Sequence, residues 1–326
     1  MMKNRKKEFP TWSIKVFKST FITSEQPSSQ TFTKPTLTAR DVTDIPADFV
    51  ADPFIISDQS TFYMFFEVLN KFTARGEIGM ATSKDGDEWR YEKIVLKEDF
   101  HLSYPHVFMY NDQFYMIPET IEANGVFLYK SKRFPEEWEK VCELIPGTYF
   151  DSSIFFYQEK WWLLAGTVGK LHLFFSNHLE EGWIEHPKSP LISDNHSISR
   201  PAGRVIVNDG AIYRFTQDYQ SYYGKSVTSF KITTLSETEY LEEEITVVLQ
   251  GSNQKGEWRR DGMHHIDQLK IKENEWLIAV DGQQFQNYRL WRIKRFLNNP
   301  VVCTRRLLGR NSNLLLTRFK KVLAGG

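Results

Sequence analysis

The sequence predicts an all-β fold, a five-bladed β-propeller, and three observations predict it. The first is a recurring inner hairpin. Ala51-Asp52-Pro53-Phe54-Ile55-Ile56 is a strand opening on an acid, and Phe62-Tyr63-Met64-Phe65-Phe66-Glu67 is its aromatic return. Tyr104 leads to Phe114-Tyr115, Asp151 to Trp161-Trp162 and His265 to Glu275-Trp276 at the same offsets of ten and eleven residues. The second is the period: the copies lie roughly fifty residues apart, the length of one blade of short strands. The third is a serine followed six or seven residues later by tryptophan, at Ser83 and Trp89, Ser131 and Trp138, and Ser176 and Trp183. Indoles at one repeated place are expected to pack blade against blade.

The elements follow in order. Residues 1–49 read as one strand, Trp12-Ser13-Ile14-Lys15-Val16-Phe17, and a polar surface linker from Ser19 to about Ala47. That first strand is placed to pair with the last blade and so remove exposed edges. Residues 50–282 hold the propeller. Blade one ends its third strand, Glu77–Ser83, at the tight-turn signal Asp85-Gly86. Blade two carries Val126–Ser131 and blade three Leu171–Ser176 in the same place. Blade four opens on Arg200-Pro201-Ala202-Gly203 and reaches Ile212-Tyr213 with a longer spacing, absorbed at the turn Asn208-Asp209-Gly210. Its third strand is less regular, around Tyr223–Val227, and the acidic stretch Glu237–Glu244 reads as a solvated edge. Blade five carries Asp261–Asp267, Trp276–Asp281 and Tyr288–Arg292.

Residues 283–326 hold a last-blade strand and a tail with no Asp or Glu but ten Lys and Arg. Leu314-Leu315-Leu316, Phe319, Val322 and Leu323 suit one face of a short helix. Such a basic amphipathic tail can meet a membrane surface or a protein partner, or pack on the propeller itself. Lys and Arg number 41 and Asp and Glu 41, so the chain has no bulk attraction for nucleic acid. Two cysteines, Cys142 and Cys303, make neither a disulfide framework nor a metal-ligand spacing. No apolar run follows the basic N-terminus, so neither a signal peptide nor a transmembrane helix is expected, and the expected location is cytoplasmic.

In a propeller the first residues of the inner strands meet at the mouth of the central channel, and the second strands return to the same face. One ring is then Asp52, the Tyr104-Pro105-His106 turn, Asp151, Arg200 and the His264-His265-Asp267 group; the other is Glu67, Glu119, Thr167, Asp218 and Asp281. Carboxylates and aromatics around one funnel suit glycosidic chemistry, which needs an acid, a base and partners for hydroxyls. The expected partner is a carbohydrate or glycoconjugate. Arg200 and Arg204 suit either ion pairing with Glu119 or Asp218, or an anionic group on a substrate. Adjacent residues of a strand face opposite sides, so at most one of His264 and His265 is expected to point inward, and no metal is assigned. No cofactor is assigned either. A calcium ion in the channel, where oxygen ligands would suit it, stays open.

Two resemblances carry the reading further. Ala51-Asp52-Pro53 and Phe150-Asp151-Ser152-Ser153-Ile154-Phe155, each with its aromatic return strand, resemble blades one and three of the five-bladed propellers of glycoside hydrolase family 43. His101–Phe108, Tyr115-Met116-Ile117-Pro118-Glu119 and Phe134-Pro135-Glu136-Glu137-Trp138 resemble the N-terminal domain of the plant glucosamine inositolphosphorylceramide transferases and their free-standing bacterial relatives. Arg200-Pro201-Ala202-Gly203 and Tyr213-Arg214-Phe215-Thr216-Gln217-Asp218 fit that second pattern. The family-43 resemblance implies Asp52 as general base and Asp151 as the residue that orients the acid. Its general acid is a Glu opening the fourth blade, where this chain has Ser199-Arg200-Pro201, so Glu119 or Asp218 would have to substitute. Tyr104, His106, Arg200, Arg204, Arg214, His265, Asp267 and Glu67 are the candidate substrate-binding residues. In the plant relatives sugar transfer belongs to a separate C-terminal domain, for which residues 283–326 are too short. Two functions follow as expectations: a glycoside hydrolase-like enzyme, or a non-catalytic glycan-recognition module serving surface polysaccharide or glycolipid synthesis.

Overall fold

The computed structural model describes residues 8–58 and 60–287. They divide between two compact units, Thr11–Gln284 and a unit of Met1–Pro10 with Phe285–Gly326. Of the second, residues 8–10 and 285–287 are described, and they are strand ends. The third strand expected at Tyr288–Arg292 and the basic tail lie outside the described residues.

Thr11–Gln284 is built from antiparallel sheets. Strand β1 (Glu8–Ser19) comes first. Blade one follows as β2 (Ala47–Ser57), β3 (Phe62–Asn70), β4 (Gly76–Ser83) and β5 (Arg90–Leu96). Blade two is β6 (Ser103–Tyr110), β7 (Gln113–Glu119), β8 (Gly125–Arg133) and β9 (Glu137–Pro146). Blade three is β10 (Phe150–Tyr157), β11 (Lys160–Thr167), β12 (Lys170–Ser176) and β13 (Ile184–Glu185). Blade four is β14 (Arg200–Pro201), β15 (Ile206–Asn208), β16 (Ala211–Asp218), β17 (Ser226–Leu235) and β18 (Tyr240–Gln250). Blade five is β19 (Ile266–Lys272) and β20 (Glu275–Asn287), completed by β1 in the order β1-β20-β19. The first strand therefore closes the last blade, as expected, and covers an edge of β20. The described residues contain no α-helix, and no helix long and apolar enough to cross a membrane.

Each apolar cluster straddles two neighbouring blades. Phe54 and Phe65 of blade one pack with Leu102 and Val107 of blade two. Phe108 and Ile117 pack with Trp161 and Leu163 of blade three, and Phe155 and Trp162 with Ile212 and Ile232 of blade four. Phe215 and Val227 meet Ile278 and Val280 of blade five, and Leu277 and Ala279 return to Met64 and Phe66 of blade one. Each such side chain contributes about 1.5–3 kcal/mol by leaving water. The repeated tryptophans serve these joints. Trp138 meets Phe65 edge-on at 5.5 Å, and each of Trp89, Trp138 and Trp183 ties down its own turn by donating from Nε1 to a carbonyl of Gly86, Pro135 or Leu179.

Three expectations are corrected. The turn of blade four is no longer than those of blades two and three, because Asn208 pairs with Ala211 as Tyr110 pairs with Gln113 and Tyr157 with Lys160. The extra length sits in the break between β14 and β15. There Gly203, at φ 134°, passes so close to blade five that a Cβ would lie 1.7 Å from the Ile266 carbonyl oxygen. The segment from Ser19 to Ala47 is also no mere surface linker. Ile22, Phe32, Leu37 and Val42 are buried, and Gln268 holds both the amide and the carbonyl of Ile22. In blade four the third strand begins at Ser226, and Tyr223 lies in the loop before it.

Candidate functional site

Three inner strands open on one backbone device. Asp52, Tyr104 and Asp151 have φ of 53°, 46° and 46°. Each sits in a bulge, where pairing skips from Ala51 to Phe54, from Ser103 to His106 and from Phe150 to Ser153. A left-handed residue other than glycine costs about 1–2 kcal/mol, and the bulge takes its amide out of the ladder. Each freed amide donates to a carboxylate of the preceding blade. Asp52 N reaches Asp281 Oδ2 at 3.1 Å, Tyr104 N reaches Asp52 Oδ2 at 3.3 Å, and Asp151 N reaches Glu119 Oε2 at 3.3 Å. The acids at the strand ends therefore join blade to blade, quite apart from any ligand.

These bonds gather Asp52, Glu119, Asp151 and Asp281, and Glu67 lies within electrostatic reach of all four; all five are buried. Two cationic side chains face them. Arg200 donates from Nε to Asp151 Oδ2 at 2.5 Å and from Nη2 to Glu119 Oε2 at 3.3 Å. His264 has Nδ1 at 2.8 Å from Asp281 and Nε2 at 3.4 Å from Asp52. Carboxyl groups outnumber cations, and the titration follows from that. Burial pushes Asp52 up to about 7, against the pull of His264 and with the push of Asp151 and Asp281. Burial and the neighbouring carboxylates push Glu67 well above the usual range. Glu119 rises well above it too, through burial and then through Asp151, with which its carboxyl is hydrogen-bonded. Asp281 goes the other way. Burial works against its charge, but His264 and the amides of Asp52, His264 and His265 hold it low. Burial disfavours the His264 cation, yet Asp281 and Asp52 outweigh it and raise that pKa.

Asp52, His264 and Asp281 bring ligand-type atoms within 4.8 Å of one another. Each nitrogen of His264 already faces a carboxylate, so a metal ion there would replace the imidazole's protons rather than fill a gap.

Below the acids lies a second buried group, and several predicted residues fall into it. The Tyr104 hydroxyl donates to the Gly203 carbonyl at 2.9 Å, accepts from the Gly203 amide at 2.7 Å and meets Ser153 Oγ at 2.8 Å. It thereby joins blades two, three and four. His106 Nδ1 accepts from the Ile154 amide, and its ring stacks on Phe54. Arg204 grips both oxygens of Asp267, at 2.7 and 3.1 Å, and reaches the Ile55 carbonyl. Asp267 also accepts the Ile55 amide. His265 donates from Nε2 to the Pro53 carbonyl at 3.0 Å, and its Nδ1, 3.9 Å from Asp52 Oδ1, is buried without a hydrogen-bond partner. Burial lowers His265 to about 4 and His106 well below its ordinary value. The expectation that only one of the two histidines points inward is overturned: both precede β19, so strand alternation does not apply, and both rings reach Asp52.

Two further candidates stand apart from the acids. Arg214 is bound through two nitrogens to Glu242 on the outer strand β18. Asp218 pairs with Lys225 at 2.8 Å and lines a cavity on the other side of β16. Sequence reasoning also missed residues. Trp12 stacks on His264 at 3.9 Å and covers it, and Gly224 has no side chain because a Cβ would meet that indole at 2.4 Å. The Tyr223 ring lies 5.0 Å from the Arg200 guanidinium, and its hydroxyl is within electrostatic reach of Asp151, Asp52 and Glu119. Gln217 Nε2 donates to Asp151 at 3.0 Å, and His101 Nε2 lies 3.4 Å from Glu67. On the sequence, Tyr223 and Gly224 fall in a less regular strand. Nothing in the sequence ties Trp12 to His264 before the ring is closed.

Comparison with known proteins gives both a family and a fold. Residues 10–283 match the sequence profile of glucosamine inositolphosphorylceramide transferase 1, N-terminal. The rice protein (Oryza sativa subsp. japonica) named glucosamine inositolphosphorylceramide transferase 1 is 34% identical over 250 residues, covering 73% of this chain and 34% of its own length. The protein of the same name from Arabidopsis thaliana is 32% identical over 286 residues, covering 84% of this chain and 37% of its own. The chain thus spans about a third of the length of these relatives. Among solved structures, a glycosyl hydrolase from Bacteroides ovatus aligns with a TM-score of 0.55 at 11% identity, covering 82% of this chain and 95% of that one. An α-L-arabinanase from Cellvibrio cellulosa aligns at 0.54 and 16%, covering 73% and 91%. At these identities the likeness is one of fold.

Proposed function

This chain belongs to the family of glucosamine inositolphosphorylceramide transferase N-terminal domains, and on that premise we propose that it is a glycan-recognition propeller serving the glycosylation of a glycolipid or surface polysaccharide. One observation carries the reading. Arg200 stands where the family-43 pattern has its general acid, and it ties Asp151 and Glu119 together. A carboxylate held by a guanidinium, an amide and a neighbouring carboxyl is set to bind and to hold shape. The surplus of carboxyl groups suits a sugar bearing a protonated amine, and the relatives' name includes glucosamine. Tyr223, exposed and lying against Arg200, supplies an aromatic ring beside it.

A second reading rests on titration. Asp52 near 7 and a Glu119 raised well above the usual carboxylate range by burial and Asp151 suit a base and an acid of glycosidic cleavage. One experiment decides between them. A glycan array including glucosamine-terminated and N-acetylated forms is screened with wild type, Arg200→Met and Asp52→Asn, and each bound glycan is then checked for cleavage. Recognition predicts binding without cleavage, a preference for the free amine, and at least a tenfold loss in Arg200→Met. Cleavage abolished in Asp52→Asn would replace this reading with the enzymatic one.

A further inference from the structure

A cavity of about 520 Å³ lies against the acid cluster, on the other side of a single wall. Its floor is the upper end of blade four, where Asp218 of β16 pairs with Ser226 of β17 and Thr228 projects from the same face two residues on. Tyr222 and Lys225 come from the loop before β17, and Asn253 from the connection to blade five. The wall is shared residue by residue. Gln217 bonds Asp151 in the acid cluster, while Asp218 beside it lines the cavity. Tyr223 lies against Arg200, while Tyr222 lines the cavity. Each dipeptide places one side chain on either side.

The lining has a definite chemistry. Ser226 and Thr228 are 7% and 6% exposed, and among the described residues neither hydroxyl bonds to protein. Both hydroxyl oxygens keep exposure to the cavity although their residues are buried, so both can bond what enters it. Asp218 and Lys225 neutralise each other at 2.8 Å while keeping lone pairs and protons to offer. No surplus of cations is present for a phosphate or a carboxylate. Hydroxyls, the amides of Asn195, Gln250 and Asn253, a neutralised ion pair, the Glu244 carboxylate and one phenol ring recognise an uncharged polyhydroxylated ligand through its hydroxyls.

We infer that this cavity is a second saccharide subsite, and that the ligand is an oligosaccharide which crosses the wall at Tyr222-Tyr223 with its charged sugar at the acids and its neutral sugars in the cavity. The inference rests on the reading of the acid cluster as a glycan site. The test is a graded series of immobilised glucosamine-terminated mono- to hexasaccharides, read as apparent Kd for wild type, Thr228→Val, Asn253→Ala and Arg200→Met, with melting curves for each. Thr228→Val removes a hydroxyl at nearly constant volume, and Asn253 is an exposed loop residue, so at least one variant keeps the fold. Expected is a fivefold or greater weakening in both cavity variants for trisaccharides and longer, with monosaccharide binding unchanged, while Arg200→Met weakens every length. Wild-type affinity in both cavity variants at all lengths, with Arg200→Met still impaired, overturns the subsite and leaves the acid cluster standing. Wild type that binds no member of the series overturns both.

Discussion

Asp52 joins the structural and the chemical roles of this site in one side chain. Its carboxylate caps the Tyr104 amide and faces His264, and its pKa near 7 differs from the ordinary carboxylate value of 3.8. A raised carboxyl pKa means that the folded chain holds a proton the unfolded chain has lost. Its contribution to stability is therefore greatest at low pH and is lost as pH rises through about 7. Asn keeps an acceptor for the amide but does not ionise. Asp52→Asn should gain on wild type between about pH 4 and 7, at up to about 1.4 kcal/mol per pH unit, and hold a constant advantage above that; parallel curves across that range would remove the claim that this carboxyl is strained by its charge. Tyr104→Phe leaves the buried Gly203 amide without its acceptor. It should cost about 1–3 kcal/mol in urea unfolding, and wild-type stability would show that the hydroxyl is dispensable to the ring.

At the scale of the strand, what the sequence displayed was spacing, and spacing is set locally. The offsets of ten and eleven residues from Asp52, Tyr104 and Asp151 to their aromatic partners are β-hairpins in the structure. The tryptophans after the third strands are packed at blade joints, because a repeated turn puts them in one place. What was hidden depends on closure. Arg214 shares a sequence pattern with Asp218, yet it turns outward to Glu242, whose approach is fixed only once β18 pairs with β17. Trp12 sits more than two hundred residues from His264 in sequence and stacks on it through ring closure alone. The break in blade four was assigned to a turn because turns tolerate added length, whereas the structure spends it where Gly203 crosses blade five. Gly203→Ala should accordingly cost about 3 kcal/mol or more, measured by chemical denaturation; a mild effect would mean that Ile266 can retreat.

At the scale of the molecule, closure by β1 is the feature on which the ring depends. Trp12, Ile14, Val16 and Phe17 are all buried, and β1 covers one edge of β20. A chain beginning at Phe21 should lose the cooperative melt and elute as aggregates on gel filtration; a monomeric, cooperatively melting product would show that four blades and two strands suffice. The amide-to-carboxylate bonds between blades have a consequence for how such a chain can be inherited. Asp281 serves the backbone of Asp52, Asp52 that of Tyr104, and Glu119 that of Asp151. Blades one, two and three do not own their opening residues: the acid that makes each bend tolerable is carried by the neighbour. A lineage that alters one of these acids alters the next blade's entry at the same stroke, so the paired positions are expected to drift together or not at all. The heritable unit at these entries is the seam between two blades, and swapping blade one or blade two whole would sever two such seams at once.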